Sequence, residues 1–319
     1  MFNKVYKLLA TALLAISTSA LAADFPNQAL RIIVPYSAGG STDAAARILA
    51  EGISKQISQS VIVENKPGAG GAIGTIAAKN AAADGYTLLI TSASHVVSKI
   101  LQPELQFDIE QDFVPLSQIT QVPIVLVVSQ THPAHTLSDL LKMAKDAPGS
   151  LKYGTAGVGT IQHVSAIQLL DKAHIDAIHV PYKGGAAAVT DLIGGQIDFT
   201  FAPLVEVLGY LESGRLRALG VTTIDRSPSL PNIPTIAETV PGYESFHWNG
   251  FVVKKGTPTS RVETLTRAIV NATKDPDVIE KLRVQGTVSK GEGSEALASL
   301  ITAEKSRLTP LLQSEQKTQ

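Results

Sequence analysis

The sequence predicts an α/β protein of two lobes, each a mostly parallel sheet flanked by helices. Apolar, strand-like runs alternate with amphipathic helical patterns from residue 30 to residue 222, and this alternation is typical of parallel sheets with right-handed crossovers. A composition of 44% hydrophobic residues with 25 glycines and few aromatic residues suits strands that are buried on both faces. A chain of 319 residues is also long enough for two hydrophobic cores.

Residues 1–22 form a predicted signal peptide. Lys4 and Lys7 precede a short apolar run over residues 8–16, and residues 20–22 (Ala-Leu-Ala) supply a small-x-small cleavage signal. The apolar run is too short to span a bilayer, so it is not predicted to be a membrane anchor. The mature chain is therefore expected to work outside the cytoplasm as a soluble protein.

Composition also excludes several classes of function. The sequence has no cysteine, which rules out disulfides, thiolate chemistry and zinc–cysteine sites. A net charge of −1 without a Lys/Arg cluster argues against nucleic acid or an anionic membrane as partner. Neither a metal nor a cofactor is expected.

The first predicted elements begin at residue 30. Residues 30–36 are rich in β-branched side chains and predict a strand, while apolar residues between Ala45 and Ile57 recur at helical spacing and predict a helix that starts near Thr42. Next come strand 61–64, a helix that ends near residue 83, strand 86–91 and a short helix over 95–101.

Two strands, 114–119 and 124–128, then follow without a helix between them. The alternation resumes with helix 137–145, strand 151–153, helix 160–172, strand 177–182, helix 186–193, strand 197–201, helix 205–212 and strand 218–222. Each strand–helix–strand step fits a crossover connection between parallel strands.

The tail has a different character. Four prolines between residues 228 and 241 interrupt a long connection, and strand 247–253 is followed by helices 261–274, 278–285 and 294–312. One strand with three helices cannot form an independent α/β lobe, so we expect this block to pack onto the first lobe. Lobe 1 is thus predicted to hold residues 24–121 plus 225–319 and lobe 2 residues 122–224. Two chain crossings make a hinge, with a cleft between the lobes.

Three glycine-rich loops share one design, in which a strand ending in Tyr is followed by glycines and then by a helix. They are loop one (residues 36–42), loop two (153–160) and loop three (182–185). Such loops lie at the carboxyl ends of parallel strands and expose N–H groups at helix N-termini, where anions such as carboxylates bind. Glycine also simply permits tight turns, but three loops of this kind together favour binding.

Other candidate residues leave alternatives open. His163 and His95 lie in the first turns of predicted helices, where each could donate to a ligand or only cap its turn. Asp43 is either a first-turn acid that the helix dipole favours or an orienter of a bound water. The G-x-G string within residues 65–74 lacks the ribose-binding acid of a dinucleotide site. No G-x-S-x-G, H-E-x-x-H or P-loop string occurs. A secreted α/β hydrolase with an unrecognised Ser-His-Asp set remains the rival class.

The same motifs resemble those of the tripartite tricarboxylate transporter (Bug-type) periplasmic binding proteins. The resemblance covers essentially the whole mature chain and rests on Ile33–Asp43, Asn65–Gly71, Asp84–Leu88, Asp112–Pro115, Tyr153–Gly157 with His163, Val180–Gly184, Pro231–Thr235 and Gly256–Pro258. It implies a type II-like periplasmic binding protein that is a monomer and not an enzyme. Its two α/β lobes would close on a small di-, tri- or aromatic carboxylate and deliver it to membrane transporter components.

The resemblance also implies which residues contact the ligand. A first carboxylate would meet loop one with Asp43, and a second would meet loop two with His163, while further residues line the cleft. The implied set is Tyr36, Ser37, Ala38, Gly39, Gly40, Thr42, Asp43, Ser92, Ser94, His95, Thr155, Gly157, Gly159, Thr160, His163 and Tyr182.

Overall fold

A computed structural model describes residues 25–182 and 184–318, which form ten strands and ten α-helices. The strands are β1 (Leu30–Val34), β2 (Val61–Asn65), β3 (Thr87–Ser92), β4 (Phe113–Ser129), β5 (Lys152–Thr155), β6 (Ile178–Pro181), β7 (Phe199–Pro203), β8 (Leu216–Val221), β9 (Phe246–Lys254) and β10 (Val288–Ser289). The helices are α1 (Ser41–Ile57), α2 (Ala72–Lys79), α3 (Ala93–Leu101), α4 (Leu137–Asp146), α5 (Ile161–Ala173), α6 (Gly185–Ile193), α7 (Leu204–Glu212), α8 (Thr259–Ala272), α9 (Pro276–Val284) and α10 (Gly293–Thr318). The predicted signal peptide lies outside the described residues.

The strands form two groups that share the long strand β4. The order along the sheet is β2-β1-β3-β9-β4-β7-β5-β6, with β10 and β8 also paired to β4. The pairs β1–β2, β1–β3, β5–β6 and β5–β7 are parallel, whereas β4 and β9 pair with their neighbours antiparallel. The predicted α/β class is confirmed, as a mixed sheet.

The two strands expected at 114–119 and 124–128 are one continuous strand, β4, which has 17 residues. Pro123 interrupts the apolar pattern in the sequence but not the strand. It pairs with Phe246 of β9, and from Ile124 onward β4 pairs with β7 instead. A residue without an N–H group is tolerated where a strand changes partners.

Each group of strands has its own buried core. Beside β1, β3 and β9, Ile32 and Phe251 belong to one apolar cluster with Leu265 of α8. Beside β5 and β7, Phe201 belongs to a second cluster with Leu140 of α4. Apolar side chains on both faces of each group are therefore covered by helices, as the alternating pattern predicts.

The return connection after β8 packs into the second core. Ile236, Val240 and Tyr243 all belong to that cluster, and the Tyr243 hydroxyl donates to the carbonyl of Ser165 in α5 at 3.0 Å. These residues were predicted to belong to lobe 1. Because a segment moves with the core that buries it, this packing favours a lobe boundary near residue 245 rather than 225. The division into two lobes itself stays a prediction.

Helix α10 touches both groups. Near its start, Leu297 and Ile301 pack with Trp248 in a cluster beside β9. Further along, Leu308 packs in a cluster with Val97 of α3 and Val164 of α5. The helix therefore lies across the junction between the two groups of strands. Within the described ranges no helix has the length and apolarity needed to cross a membrane.

Candidate ligand-binding cleft

Loop one is held from below by a buried carboxylate. Asp43 Oδ2 accepts the N–H of Gly39 at 2.9 Å and the Nε–H of Arg47 at 3.0 Å, while Asp43 Oδ1 accepts from Asn65 Nδ2 at 2.8 Å. Burial by itself raises the pKa of Asp43, but these hydrogen bonds outweigh it and hold the pKa below its usual value. Asp43 thus positions the loop, and residues 37–41 are left exposed.

The structure brings Tyr36 together with the start of α3. Its hydroxyl lies 3.2 Å from Ser92 Oγ. Burial raises the pKa of Tyr36, partly offset by hydrogen bonds with Ser92 and Ser94. The phenol is therefore a neutral hydrogen-bonding group at the start of loop one. Its contact with a ligand stays a prediction.

His95 is engaged within the protein through both ring nitrogens. Nε2 lies 2.9 Å from Thr75 Oγ1, and Nδ1 accepts the N–H of Ser92 and lies 3.2 Å from Thr91 Oγ1. Ser92 and His95 form a capping box at the start of α3. This geometry favours the alternative in which His95 only caps its helix turn. A contact between His95 and a ligand stays a prediction.

A polar chain under loop one was not expected from the sequence. Thr42 Oγ1 donates to Asn249 Oδ1 at 3.2 Å, and Asn249 Nδ2 donates to Thr120 Oγ1 at 2.9 Å. Burial lowers the pKa of His247, two residues away on β9, to about 4 despite a hydrogen bond with Asn249. Thr120 and Asn249 are polar residues within strands, but β4 also carries Gln118 and Gln121, so the sequence did not single these two out.

Loop two is held by hydroxyl groups. Thr155 Oγ1 accepts the N–H of Gly157 at 3.2 Å, and Thr160 Oγ1 donates to the carbonyl of Gly157 at 2.7 Å. Thr160 also caps α5 by accepting the N–H of His163. The φ angles of Gly157 (+127°) and Gly159 (+78°) lie in the left-handed region, which explains the glycines at these two positions.

His163 offers a buried donor. Its Nδ1 accepts the N–H of Gly159 at 3.3 Å, so the ring proton lies on Nε2. Nε2 is buried and has no hydrogen-bond partner among the described residues. Burial, reinforced by the neighbouring His179, lowers the pKa of His163 to about 4. The ring is thus a neutral N–H donor at neutral pH.

His179 supports this site, and sequence reasoning missed it. Its ring stacks between Tyr153 and His163, with centroid separations of 4.9 and 4.4 Å. Its Nε2 lies 2.7 Å from Thr155 Oγ1. His179 therefore connects the stacked rings to loop two. Because this contact depends on the pairing of β5 with β6, it could not be predicted from the sequence.

Loop three begins with Tyr182, whose ring lies against Gly154 of loop two, since a Cβ atom on Gly154 would lie 3.2 Å from Tyr182 Cε2. The Tyr182 hydroxyl donates to Asp191 Oδ2 of α6 at 2.7 Å. Burial and Asp191 together raise the pKa of Tyr182 to about 12. Its predicted ligand contact is not favoured by this bond. In the same region, Glu206 of α7 and Gln162 of α5 lie against Gly185, and neither was predicted.

Loop two touches α3, the helix whose start contacts Tyr36 of loop one. A Cβ atom on Gly159 would lie 2.9 Å from Leu101 Cδ1 and 3.4 Å from Val97 Cγ1, both on α3. Gly286, after α9, approaches Val205 of α7, since its Cβ position lies 3.6 Å from Val205 Cβ. The two groups of strands thus touch at both places, and the glycine loops occupy the region where they meet.

Comparison with known proteins identifies the family. A sequence profile described as "Tripartite tricarboxylate transporter family receptor" matches residues 45–316. The chain belongs to this family. The receptor is also 38% identical over 312 residues to a protein of Pseudomonas sp. strain P51 named "UPF0065 protein in tcbD-tcbE intergenic region", with 96% of this chain and 93% of that protein covered.

Two solved structures show the same fold with ligands. An R. palustris protein with adipate is 32% identical, has a TM-score of 0.77, and is matched over 91% of the receptor and 98% of its own chain. MatC from Rhodopseudomonas palustris with bound malate is 28% identical, with a TM-score of 0.73 and coverage of 90% and 100%. The receptor is thus a solute-binding protein of the periplasmic binding type.

Proposed function

We propose that the receptor binds a small organic carboxylate between its two lobes in the periplasm and passes it to the membrane components of a tripartite transporter. The observation that carries this proposal is the buried, unpartnered Nε2 of His163 beside loop two. A buried donor without a partner is costly unless a ligand satisfies it. The adipate- and malate-bound relatives and the predicted signal peptide support the proposal.

The donors of the two loops complement each other. Helix α1 begins after Gly40 and helix α5 after Thr160, so each loop presents N–H groups at the positive end of a helix dipole. One exposed dipole interaction contributes only about 0.3–1 kcal/mol. Closure of the lobes would bring both sets of donors and the Nε2–H of His163 onto one ligand, which links binding to hinge motion.

The rival hydrolase has less support. A Ser-His-acid set needs a histidine between a serine hydroxyl and a carboxylate. Among the described residues His95 makes hydrogen bonds to Thr75, Thr91 and Ser92 and to no acid. His132 and Asp198 form a histidine–carboxylate pair. Asp198 lies just before β7, at the end of that strand opposite the glycine loops. Binding is therefore the better interpretation.

The test compares ligands that differ by one carboxylate. We expect succinate, malate or adipate to bind the mature protein at least tenfold more tightly than butyrate or hexanoate, because only a diacid reaches both loops. Calorimetry measures the affinities, and small-angle scattering should show the radius of gyration falling on binding. Equal affinity of diacid and monoacid without compaction would refute the two-sided grip.

A matched variant tests the donor itself. His163→Phe keeps a ring in the stack with His179 but removes Nε2–H, so we expect a loss of affinity of about tenfold or more. His135→Phe, just before α4 where His135 is exposed, is the control and should bind normally. Wild-type affinity in His163→Phe would show that the ring has only a structural role.

A further inference from the structure

Two polar side chains converge over the first residue of α6. A Cβ atom on Gly185 would lie 2.5 Å from Glu206 Oε2 and 3.2 Å from Gln162 Nε2. Glu206 comes from the first turn of α7 and Gln162 from the first turn of α5. Three strand–loop–helix connections of the same sheet thus meet at one point. A side chain at position 185 would fill the space between them, and glycine leaves that space free.

Neither polar group has a partner within the part of the chain that the structure describes. Gln162 is 6% exposed, yet its side-chain amide makes no hydrogen bond there. The carboxylate of Glu206 accepts no hydrogen bond and forms no ion pair with any described residue. Glu206 is exposed as a whole residue, and the partial burial of its carboxylate raises its pKa. Both side chains therefore keep their hydrogen-bonding capacity free for another molecule.

These groups lie within the site already described. In the sequence Gln162 lies between Thr160, which caps α5, and His163, whose Nε2 is the donor without a partner among the described residues. A first-turn glutamate is also favoured by the dipole of its own helix, but that role does not explain why the carboxylate lies over Gly185 with the Gln162 amide near the same point. A carboxylate accepts hydrogen bonds and does not donate them, so it selects a donor.

We infer that Glu206 and Gln162 form a subsite for a hydrogen-bond donor on the ligand, an ammonium or a hydroxyl group. This inference rests on the proposed function and names the ligand class more closely: a carboxylate that carries an amino or hydroxyl substituent. Glu206 accepts from the substituent, and the Gln162 amide, which both donates and accepts, completes its coordination. A plain dicarboxylate would leave Glu206 unsatisfied and add a like charge beside it.

The experiment uses acids of matched length. Calorimetry on the mature protein compares succinate, malate and aspartate, then glutarate, 2-hydroxyglutarate and glutamate, and then adipate with 2-aminoadipate. We expect the substituted acids of the preferred length to bind more tightly than the plain diacid. A preference for the amino acid assigns the subsite to an ammonium group, and a preference for the hydroxy acid assigns it to a hydroxyl group.

Variants separate the subsite from the rest of the cleft. Glu206→Gln should weaken the preferred substituted acid about ten- to a hundredfold, the range for a lost hydrogen bond to a charged group, and leave the plain diacid unchanged or tighter. Gln162→Leu should also reduce this discrimination. Glu212→Gln, at the far end of α7, is the control, and thermal melts show whether each variant is folded.

The outcomes also separate this inference from the proposed function. Tight binding of plain diacids with no preference for substituted ones, or an equal loss for all acids in Glu206→Gln, would overturn the inference and leave carboxylate binding standing. If no carboxylate of any length binds the folded wild-type protein, the proposed function fails and the inference fails with it.

Discussion

Loops one and two have the same strand–glycine–helix design, yet different forces hold them. Loop one is fixed by an ionised group, since Asp43 takes hydrogen bonds from Gly39, Arg47 and Asn65. Loop two is fixed by neutral groups, namely hydroxyls of Thr155 and Thr160 and a histidine that accepts the N–H of Gly159. Two glycine loops of similar sequence can therefore respond differently to pH and to mutation.

A fall in pH should produce the largest loss of stability, because buried histidines such as His163 must take up protons when the chain unfolds. The folded-state pKa of His163 is about 4, below its ordinary value of 6.5. Between these values the unfolded chain binds more protons than the folded one, so stability is lost as pH falls from 6.5 to 4. For His163 the loss should reach about 3 kcal/mol. Burial also lowers the pKa values of His95 and His247, near loop one, to about 4, so these two histidines add to the loss in the same window. Asp43, whose pKa is below its usual value, titrates only at lower pH.

Urea unfolding at several pH values measures this difference. His163→Phe should reduce the fall in the free energy of unfolding between pH 6.5 and pH 4 by its own share, with the shares of His95 and His247 left, while Asp43→Asn should leave the slope in that window unchanged. An undiminished wild-type slope in His163→Phe would show that His163 does not contribute to it.

Removal of the loop one carboxylate should have the next largest effect. Asp43→Ala leaves three donors without their acceptor, and we expect a loss of about 2 kcal/mol in the free energy of unfolding, together with weaker ligand binding. Asp43→Asn keeps one acceptor oxygen and should lie between Asp43→Ala and the wild type. If Asp43→Ala is destabilised but binds ligand as tightly as wild type, loop one does not contact the ligand.

The smallest expected effect is a difference between valine substitutions at two adjacent glycines of loop one. Gly39 has a φ of +87°, so Gly39→Val should cost about 1–2 kcal/mol or more. Gly40 has a φ of −78° and its Cβ position lies 3.8 Å from the carbonyl oxygen of Ser37, so Gly40→Val should stay folded while its side chain blocks the approach to the loop. Calorimetry should show lost binding for Gly40→Val with a melting temperature close to wild type.

Local patterns predicted much of the fold. Strand–helix alternation indicated the parallel pairs, and the Tyr–glycine motif placed loops one and two at strand ends. What these patterns missed depends on residues that are distant in the chain. His95 makes hydrogen bonds within its own turn, but its Nε2 partner, Thr75, belongs to α2, so ligand binding and capping could not be separated from the sequence.

The remaining site residues were hidden for the same reason. Asn249 reaches Thr42 only because β9 lies between β3 and β4. His179 reaches Thr155 because β5 and β6 pair in one register. Glu206 and Gln162 meet over a glycine from a third connection. Contacts between residues that are distant in the chain cannot be predicted from spacing or composition, whereas the glycines within each loop can be read from the sequence.

The position of β9 also constrains the order in which the chain can assemble. This strand lies between β3 and β4 in the sheet, although both of its neighbours precede it in the chain by more than a hundred residues. Until residues 246–254 are present, β3 and the first half of β4 have no strand to join them. Synthesis alone therefore cannot build the first core progressively; it must wait for the last part of the chain, and such non-local pairing is intrinsically slow.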